Sequence, residues 1–145
     1  MRFLIQRVTR AKVTVGGEVT GRIGPGLVVL IGIAATDTTA EADYLIDKVL
    51  NLRIFADEAG KMNRSALDQA AGMLLISQFT LYGEIRKGRR PSFDLAAAPA
   101  LAKDLYGYVV EKIRASGLQV GTGVFQAHMD VELVNDGPVT FLLEK

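Results

Sequence analysis

Residues 24–33, Gly-Pro-Gly-Leu-Val-Val-Leu-Ile-Gly-Ile, predict the central strand of the fold. The Gly-Pro-Gly triplet at residues 24–26 is a strong turn signal. Residues 27–33 are almost all apolar and rich in β-branched side chains, which is typical of a strand buried on both faces. We therefore expect a sheet built around this segment, with apolar side chains packed on each side of it.

The residues before this strand predict an antiparallel hairpin. Residues 3–8 form a short apolar run, and residues 12–15 alternate between polar and apolar side chains. Gly16 and Gly17 follow, and a two-residue hairpin turn favours glycine because both positions take positive φ.

Two helices are predicted further along the chain. Thr38 and Glu41 have the spacing of a capping box, so a helix should run from about residue 39 to residue 50. Its apolar residues recur at helical spacing: Ala42, Leu45, Ile46, Val49 and Leu50. A second helix should follow Pro99 and end near Gly117. Its predicted apolar stripe is Leu101, Leu105, Val109 and Ile113.

Further strands are predicted at residues 52–55 and 73–79, and three more after the second helix. The last two of these, ending at Val134 and spanning residues 139–143, would be joined by a hairpin turn at residues 135–140, Asn-Asp-Gly-Pro-Val-Thr. This order favours an α+β fold with two main helices and a mainly antiparallel sheet or barrel. A chain of 145 residues fits one domain, residues 1–145.

Composition excludes several kinds of chemistry. The chain has no cysteine, so it has no disulfide, no thiolate nucleophile and no thiolate metal site. Its net charge is +1, from 17 basic and 16 acidic residues, which gives no overall electrostatic reason to expect nucleic acid. No apolar stretch approaches the roughly 20 residues of a membrane span. We expect a soluble cytoplasmic protein without a metal or another cofactor.

His128 is the only histidine, which restricts the available bases and metal ligands. Alternation places it on a polar strand face with Asp130 and Glu132, whereas Met129, Val131 and Leu133 should face inward. A solvated strand histidine is therefore favoured over a catalytic base.

Two segments could form a functional site. Ser77, Gln78 and Thr80 follow the apolar residues 73–76, and polar side chains at the end of a buried strand are held rigidly. They could equally satisfy backbone groups at a strand end. Residues 83–91 form a glycine-punctuated loop that is the only basic cluster along the sequence, and it could also be a solvated loop. Its cations are Arg86, Lys87, Arg89 and Arg90.

Several short motifs together resemble the D-aminoacyl-tRNA deacylase family, which includes the D-tyrosyl-tRNA(Tyr) deacylases. The two defining ones are Ser-Gln-Phe-Thr-Leu at residues 77–81 and Asn-Asp-Gly-Pro-Val-Thr at residues 135–140. Gln-Arg-Val at residues 6–8, Lys-Met-Asn at 61–63 and Arg-Pro-Ser-Phe at 90–93 also match. The matches follow the family order from the first strand to the last.

The resemblance implies a homodimer with its active site at the subunit interface, and tRNA as the partner. Gly137 and Pro138, joined by a cis bond, would enter the active site of the other subunit, where their carbonyl oxygens would clash with the side chain of an L-amino acid. Glycine has no such side chain and would be accepted. Arg7 would brace the Gly-Pro carbonyls.

The implied reaction is hydrolysis of D-aminoacyl-tRNA, and of glycyl-tRNA mischarged on tRNA(Ala), as proofreading of translation. Ser77, Gln78, Phe79 and Thr80 would line the catalytic pocket, and Met129 would pack beside the terminal adenosine. Because no base is available to activate Thr80, the ribose 2′-hydroxyl of the tRNA would assist the attack of water, and backbone N–H groups near Phe79 and Thr80 would stabilise the oxyanion. Core packing is the alternative role for Phe79 and Met129. The four basic loop residues would contact acceptor-stem phosphates.

Two other functions remain open from the sequence. A non-catalytic RNA-binding module would need only the basic loop. An esterase of small metabolites would use Ser77 or Thr80 with His128, and replacement of His128 would then abolish its activity.

Overall fold

The computed structural model describes residues 1–86 and 88–145, and this part of the chain forms a six-stranded sheet, a two-stranded sheet and two α-helices. The strands are β1 (Arg2–Val15), β2 (Glu18–Ile23), β3 (Gly26–Gly32), β4 (Phe55–Ala56), β5 (Met62–Arg64), β6 (Gly72–Ser77), β7 (Val120–Thr122) and β8 (Asp130–Glu144). The helices are α1 (Thr39–Asn51) and α2 (Pro99–Arg114), with a 3-10 helix at Phe79–Tyr82.

Strand β1 organises the sheet because it pairs with three other strands. Its first half is antiparallel to β3, and its second half is antiparallel to β2. Along its opposite edge it is antiparallel to β8. Gly16 and Gly17 connect β1 to β2 with φ values of 58° and 88°, which confirms the predicted hairpin.

The sheet also contains parallel pairs that the sequence did not predict. β3 pairs with β6 in parallel, and β6 pairs with β7 in parallel, with α1 and α2 lying in the two crossover connections. The α+β fold with a mostly antiparallel sheet is confirmed. The two end strands of the sheet, β2 and β7, lie close together. The Thr20 hydroxyl of β2 donates a hydrogen bond to the Thr122 carbonyl of β7 at 3.4 Å. The sheet is therefore nearly barrel-like.

Helix α1 begins at the predicted capping box. The Thr38 hydroxyl accepts from the Ala40 N–H at 3.2 Å, and the Glu41 carboxylate accepts from the Thr38 N–H at 2.8 Å. In α2, the predicted stripe is confirmed at Leu105, Val109 and Ile113, which are buried. It is wrong at Leu101, whose side chain lies at the surface in the first turn.

Apolar residues pack on both faces of β3 and β6, as the sequence of β3 predicted. Leu27 and Val29 face the helices with Phe3 and Ile5, whereas Val28 belongs to a second cluster within the curved sheet. The second cluster comprises Val8, Ala11, Val13, Ile23, Val28, Leu74 and Ile76. Full burial of a valine, leucine or isoleucine side chain stabilises the folded state by about 1.5–3 kcal/mol. The two clusters make β3 and β6 a rigid platform.

Three predicted strand boundaries are wrong. Residues 52–54 do not form a strand, because Leu52 caps the C-terminus of α1 and β4 begins only at Phe55. β6 ends at Ser77, and residues 79–82 turn into the 3-10 helix. The second helix is followed by two strands and not three, because β8 runs without reversal through residues 135–140.

None of the helices in the described ranges combines the length and apolar character needed to cross a membrane.

Candidate active site

A cavity of about 620 Å³ opens at the end of β6. Ile31, Ile33 and Ile76 supply apolar surface from the sheet, and Pro99 and Ala102 close it from the start of α2. The polar end of β6 reaches the same space through Ser77 and Gln78. A rigid apolar pocket with a few polar groups at one end is the usual form of a small-molecule site.

The cavity is lined by only part of the Ser77-Gln78-Phe79-Thr80 segment. Ser77, Gln78 and Phe79 line it, whereas Thr80 is exposed and accepts a hydrogen bond from the Gln78 side-chain amide at 2.5 Å. The Phe79 ring packs edge-on against Phe93, with their centroids 4.9 Å apart, and stays 57% exposed. The segment predicted to be strand therefore presents its aromatic ring at the mouth of the cavity.

The 3-10 helix is held in place by Arg2, a residue that the sequence did not identify. Its guanidinium donates to the Leu81 carbonyl at 2.6 Å and lies 4.5 Å from the centroid of the Tyr82 ring. Its Nε also pairs with Glu144 at 2.6 Å. Burial raises the pKa of Tyr82 to about 12, so that this hydroxyl stays neutral at physiological pH. Arg2 thus joins the paired strands β1 and β8 to the 3-10 helix that carries Phe79 and Thr80.

Met129, which the resemblance placed beside a bound adenosine, also lines the cavity. A Cβ on Gly123 would collide with the Met129 sulfur, so the absence of a side chain at residue 123 leaves space for Met129. The buried Tyr106 hydroxyl donates to the Leu75 carbonyl at 2.8 Å, and the Tyr106 ring packs against Phe125, which also lines the cavity. Burial raises the pKa of Tyr106 to about 12.

Residues 135–140 form a bulge in β8 and not the predicted hairpin turn. Gln6 pairs with Thr140 and Val8 pairs with Asn135, so residues 136–139 lie opposite the single residue Arg7. The two flanks keep the same direction along β1, because their backbone pairing outweighs the local turn preference. The Gly137–Pro138 peptide bond is cis.

Arg7 and Asn135 hold the bulge from both sides. Arg7 Nε is 2.9 Å from the Asp136 carboxylate and donates to the Asp136 carbonyl at 3.3 Å, and its NH1 donates to the Ile54 carbonyl. The Asn135 amide donates to the carbonyls of Arg7 at 2.9 Å and Val139 at 3.1 Å. Gly137 and Pro138 are exposed at the tip, and they do not line the cavity of their own chain.

The basic loop is only partly free to bind an anion. Its base is closed by backbone hydrogen bonds between Glu84 and Ser92, at 2.8 and 3.1 Å. Arg86 pairs with Glu84, and its hydrogen bonds lower the pKa of that carboxyl to about 2. Arg89 and Arg90 are exposed, and Lys87 lies outside the described residues.

His128 is solvated as predicted, but it precedes β8 instead of lying in a strand, and it borders the cavity. Its side chain is 96% exposed, with Nε2 3.8 Å from the Asp130 carboxylate, and it makes no hydrogen bond to the described side chains of Ser77 and Thr80. Met129, Val131 and Leu133 pack inward, which confirms the predicted alternation. Across residues 1–86 and 88–145, no three His, Cys, Asp or Glu side chains are grouped so that they could hold a metal ion.

Known proteins resemble this chain over almost its entire length. The model of the family described as D-Tyr-tRNA(Tyr) deacylase matches residues 4–144. A D-aminoacyl-tRNA deacylase from Symbiobacterium thermophilum is 60% identical over 144 residues, which cover 99% of this chain and 95% of the relative. One from Deinococcus deserti is 58% identical, with 99% of both chains covered.

A solved structure shares the fold over the same length. The structure of a c-Myc DNA unwinding element binding protein is 44% identical and superposes with a TM-score of 0.94, covering 100% of this chain and 99% of that one. The chain belongs to the D-Tyr-tRNA(Tyr) deacylase family.

Proposed function

We propose that the chain hydrolyses the ester bond between a D-amino acid and the 3′-terminal ribose of tRNA, releasing the free D-amino acid and the tRNA. The observation that carries the proposal is the cavity at Ser77, Gln78 and Phe79, found in a member of a deacylase family. Its volume of about 620 Å³ lies within the roughly 300–1,000 Å³ typical of ligand pockets. The aminoacyl group and the terminal adenosine would occupy it.

Water is the proposed nucleophile. Among the residues that the structure describes, no side-chain base hydrogen-bonds to Thr80, whose hydroxyl accepts a hydrogen bond from Gln78. The ribose 2′-hydroxyl, next to the ester, would assist the attacking water, and the protein would supply orientation. The N–H groups of Phe79 and Thr80 begin the 3-10 helix, where i→i−3 bonding gives them no acceptor inside the helix. They are the proposed oxyanion donors, each contributing about 2.7–4 kcal/mol.

Rejection of L-amino acids is proposed to come from a second copy of the chain. Gly137 and Pro138 of the partner subunit would enter the cavity, with their carbonyl oxygens against the face of the α-carbon where an L side chain would project. The exposed tip of the bulge, held by Arg7 and Asn135, supports this role. A rigid carbonyl cannot rotate away as a side chain can.

The same geometry would admit glycine, because its α-carbon bears no side chain. Glycyl-tRNA mischarged on tRNA(Ala) is therefore a proposed second substrate, and proofreading of translation in the cytoplasm is the proposed role. Arg89 and Arg90 would contact acceptor-stem phosphates, with Arg86 contributing less because Glu84 pairs with it.

The decisive experiment compares hydrolysis of D-tyrosyl-tRNA, L-tyrosyl-tRNA and glycyl-tRNA(Ala) by the purified chain. Rapid release of D-tyrosine and glycine, with L-tyrosine released at the uncatalysed rate, is the expected result. Equal rates for D- and L-tyrosyl-tRNA would reject the selection mechanism. Binding of tRNA with no hydrolysis of any ester would instead identify a non-catalytic nucleic-acid-binding module.

An esterase that uses His128 is disfavoured because this side chain, although it borders the cavity, is 96% exposed and makes no hydrogen bond to Ser77 or Thr80. Replacement of His128 by alanine should leave deacylation intact. Loss of all activity in that variant would restore the esterase hypothesis.

A further inference from the structure

A second groove, of about 410 Å³, crosses strands β1, β2 and β8. Its charged border consists of Arg10, Lys12, Arg22 and Glu132. Lys12 lies directly opposite Arg22 in β2 and opposite Glu132 in β8, so their side chains form a row across three strands. Arg10 is two residues before Lys12 and extends the row along β1. The four residues are scattered in the sequence, and strand pairing brings them together.

The groove is positively charged because only one of its three cations is neutralised. Lys12 pairs with Glu132 at 2.8 Å. The exposed guanidinium groups of Arg10 and Arg22 donate no hydrogen bond to any of residues 1–86 and 88–145, and they form no ion pair with them. A guanidinium group presents paired N–H donors that match the oxygens of a phosphate. Two unpaired arginines beside one groove therefore favour a ligand with more than one phosphate.

The groove and the cavity at the end of β6 are both lined by residues of β8. Val131 lines the cavity, and the next residues along β8, from Glu132 to Val134, line the groove. Successive residues of a strand point to opposite faces, so the cavity lies on the inner side of β8 and the groove on its outer side. Among the described strands β8 pairs only with β1, so a polynucleotide whose 3′ end occupied the cavity would reach the groove by passing around the free edge of β8.

We propose that Arg10 and Arg22, with Lys12 beside them, bind the sugar-phosphate backbone of the tRNA outside its terminal adenosine. This inference rests on the proposed deacylase function. Contacts with the phosphate backbone add affinity that weakens with salt, and they do not touch the reacting ester. The groove should therefore affect the KM for whole tRNA and not kcat.

The test is the double variant R10Q/R22Q, which removes both unpaired charges and keeps polar side chains of moderate length. Its tRNA affinity should fall, and the slope of log K against log salt should decrease by about 1.5–2 because two phosphates are no longer neutralised. The KM for D-tyrosyl-tRNA should rise several-fold at unchanged kcat. Hydrolysis of a D-tyrosyl ester of the trinucleotide CCA, which lacks the rest of the tRNA, should not change.

The matched control is K48Q/K103Q, which removes two exposed charges from α1 and α2. It should leave the affinity and the KM for tRNA close to those of the wild type. An unchanged salt slope in R10Q/R22Q would overturn the proposal, as would an equal loss of activity on the trinucleotide ester. A change of oligomeric state confined to R10Q/R22Q, measured by sedimentation, would assign the groove to a subunit contact and also overturn it.

Failure of the deacylase proposal would give a different experimental result from failure of the groove proposal. A wild-type chain that binds tRNA through Arg10 and Arg22 but hydrolyses no D-aminoacyl ester would keep the groove as an RNA-binding surface. It would remove the catalytic function alone.

Discussion

The side-chain amide of Gln78 donates a hydrogen bond to the Thr80 hydroxyl, with Nε2 2.5 Å from Oγ1. An amide cannot accept the proton that a nucleophilic hydroxyl must lose. The Thr80 hydroxyl keeps its own proton available for donation to a bound substrate. This relationship assigns Thr80 an orienting role in the proposed reaction.

Replacement of Thr80 by alanine should lower kcat for D-tyrosyl-tRNA by no more than about tenfold, because no protein nucleophile is lost. Removal of a true nucleophile costs about a million-fold in well-studied hydrolases. Single-turnover assays would measure the difference. The complementary test uses D-tyrosyl-tRNA that ends in 2′-deoxyadenosine. This substrate should bind normally but react slowly, because it lacks the 2′-hydroxyl that would assist the attacking water. An acyl adduct on Thr80, detected by mass spectrometry, would contradict this mechanism.

Replacement of Gly137 by alanine should displace the bulge in β8. The added methyl group would collide with the Asn135 amide oxygen and lie 3.3 Å from its Cγ. Asn135 cannot move freely, since its amide holds two backbone carbonyls. A displacement of about 1 Å can cost about 100-fold in rate. We expect such a loss on D-tyrosyl-tRNA, together with weaker discrimination against the L ester.

Gly107 provides the control for this substitution, because its Cβ position in α2 has no neighbouring atom within 4 Å. Its alanine variant should keep full activity. If G137A lost stability but kept its rate and its D/L ratio, the bulge would have a purely structural role.

Replacement of Arg2 by methionine should lower kcat by about tenfold and change KM by less than about twofold. The variant lacks the hydrogen bond to the Leu81 carbonyl and the packing on the Tyr82 ring, so the 3-10 helix is less precisely placed. Lysine at this position retains one donor and should recover part of kcat. The control is R114M, which breaks an exposed pair with Glu111. Equal effects of R2M and R114M would exclude a positioning role.

Replacement of Asp37 by asparagine should destabilise the chain by about 3–5 kcal/mol, because it leaves the buried Met1 ammonium without its countercharge. Asp37 Oδ1 is 2.7 Å from the Met1 nitrogen, and its Oδ2 accepts from the Ala34 N–H at 2.6 Å. Urea unfolding would measure the change. D43N, at an exposed carboxylate, should cost less than about 1 kcal/mol. Similar losses of unfolding free energy in both variants would mean that burial of the Met1–Asp37 pair does not add to the stability of the fold.

Replacement of both Arg89 and Arg90 by glutamine should reduce the salt dependence of tRNA binding by roughly one log unit for each phosphate that is no longer neutralised. These side chains are exposed, whereas Arg86 is paired with Glu84. A filter-binding titration at several salt concentrations would measure the slope. Binding identical to that of the wild type would leave the loop as a solvated surface.

The sequence predicted the elements that local patterns specify. Gly16 and Gly17 define the first hairpin, and Thr38 with Glu41 defines the start of α1. The apolar run of β3 predicted burial on both faces. Position after a buried strand singled out Ser77, Gln78 and Thr80, of which Ser77 and Gln78 line the cavity and Thr80 does not. In each case the deciding interactions lie within a few residues of one another.

Distant pairing decided the features that the sequence did not predict. Turn-forming residues at 135–140 predicted a reversal, but pairing with Gln6 and Val8 keeps both flanks in one strand. Likewise, the carbonyl that accepts from Arg2 lies at residue 81. No local pattern indicates either contact, because each depends on where the sheet places another segment.

The pairing of β1 with β8 also constrains the order in which the fold can be completed. Arg2 pairs with Glu144 and Thr14 pairs with Asp130, so one edge of the first strand stays open until the last strand has been synthesised. Contacts so distant in sequence slow folding, because a long loop must close before they form. A nascent chain halted before Asp130 would expose the β1 edge to other unfinished chains, and pairing with β8 removes that opportunity for aggregation.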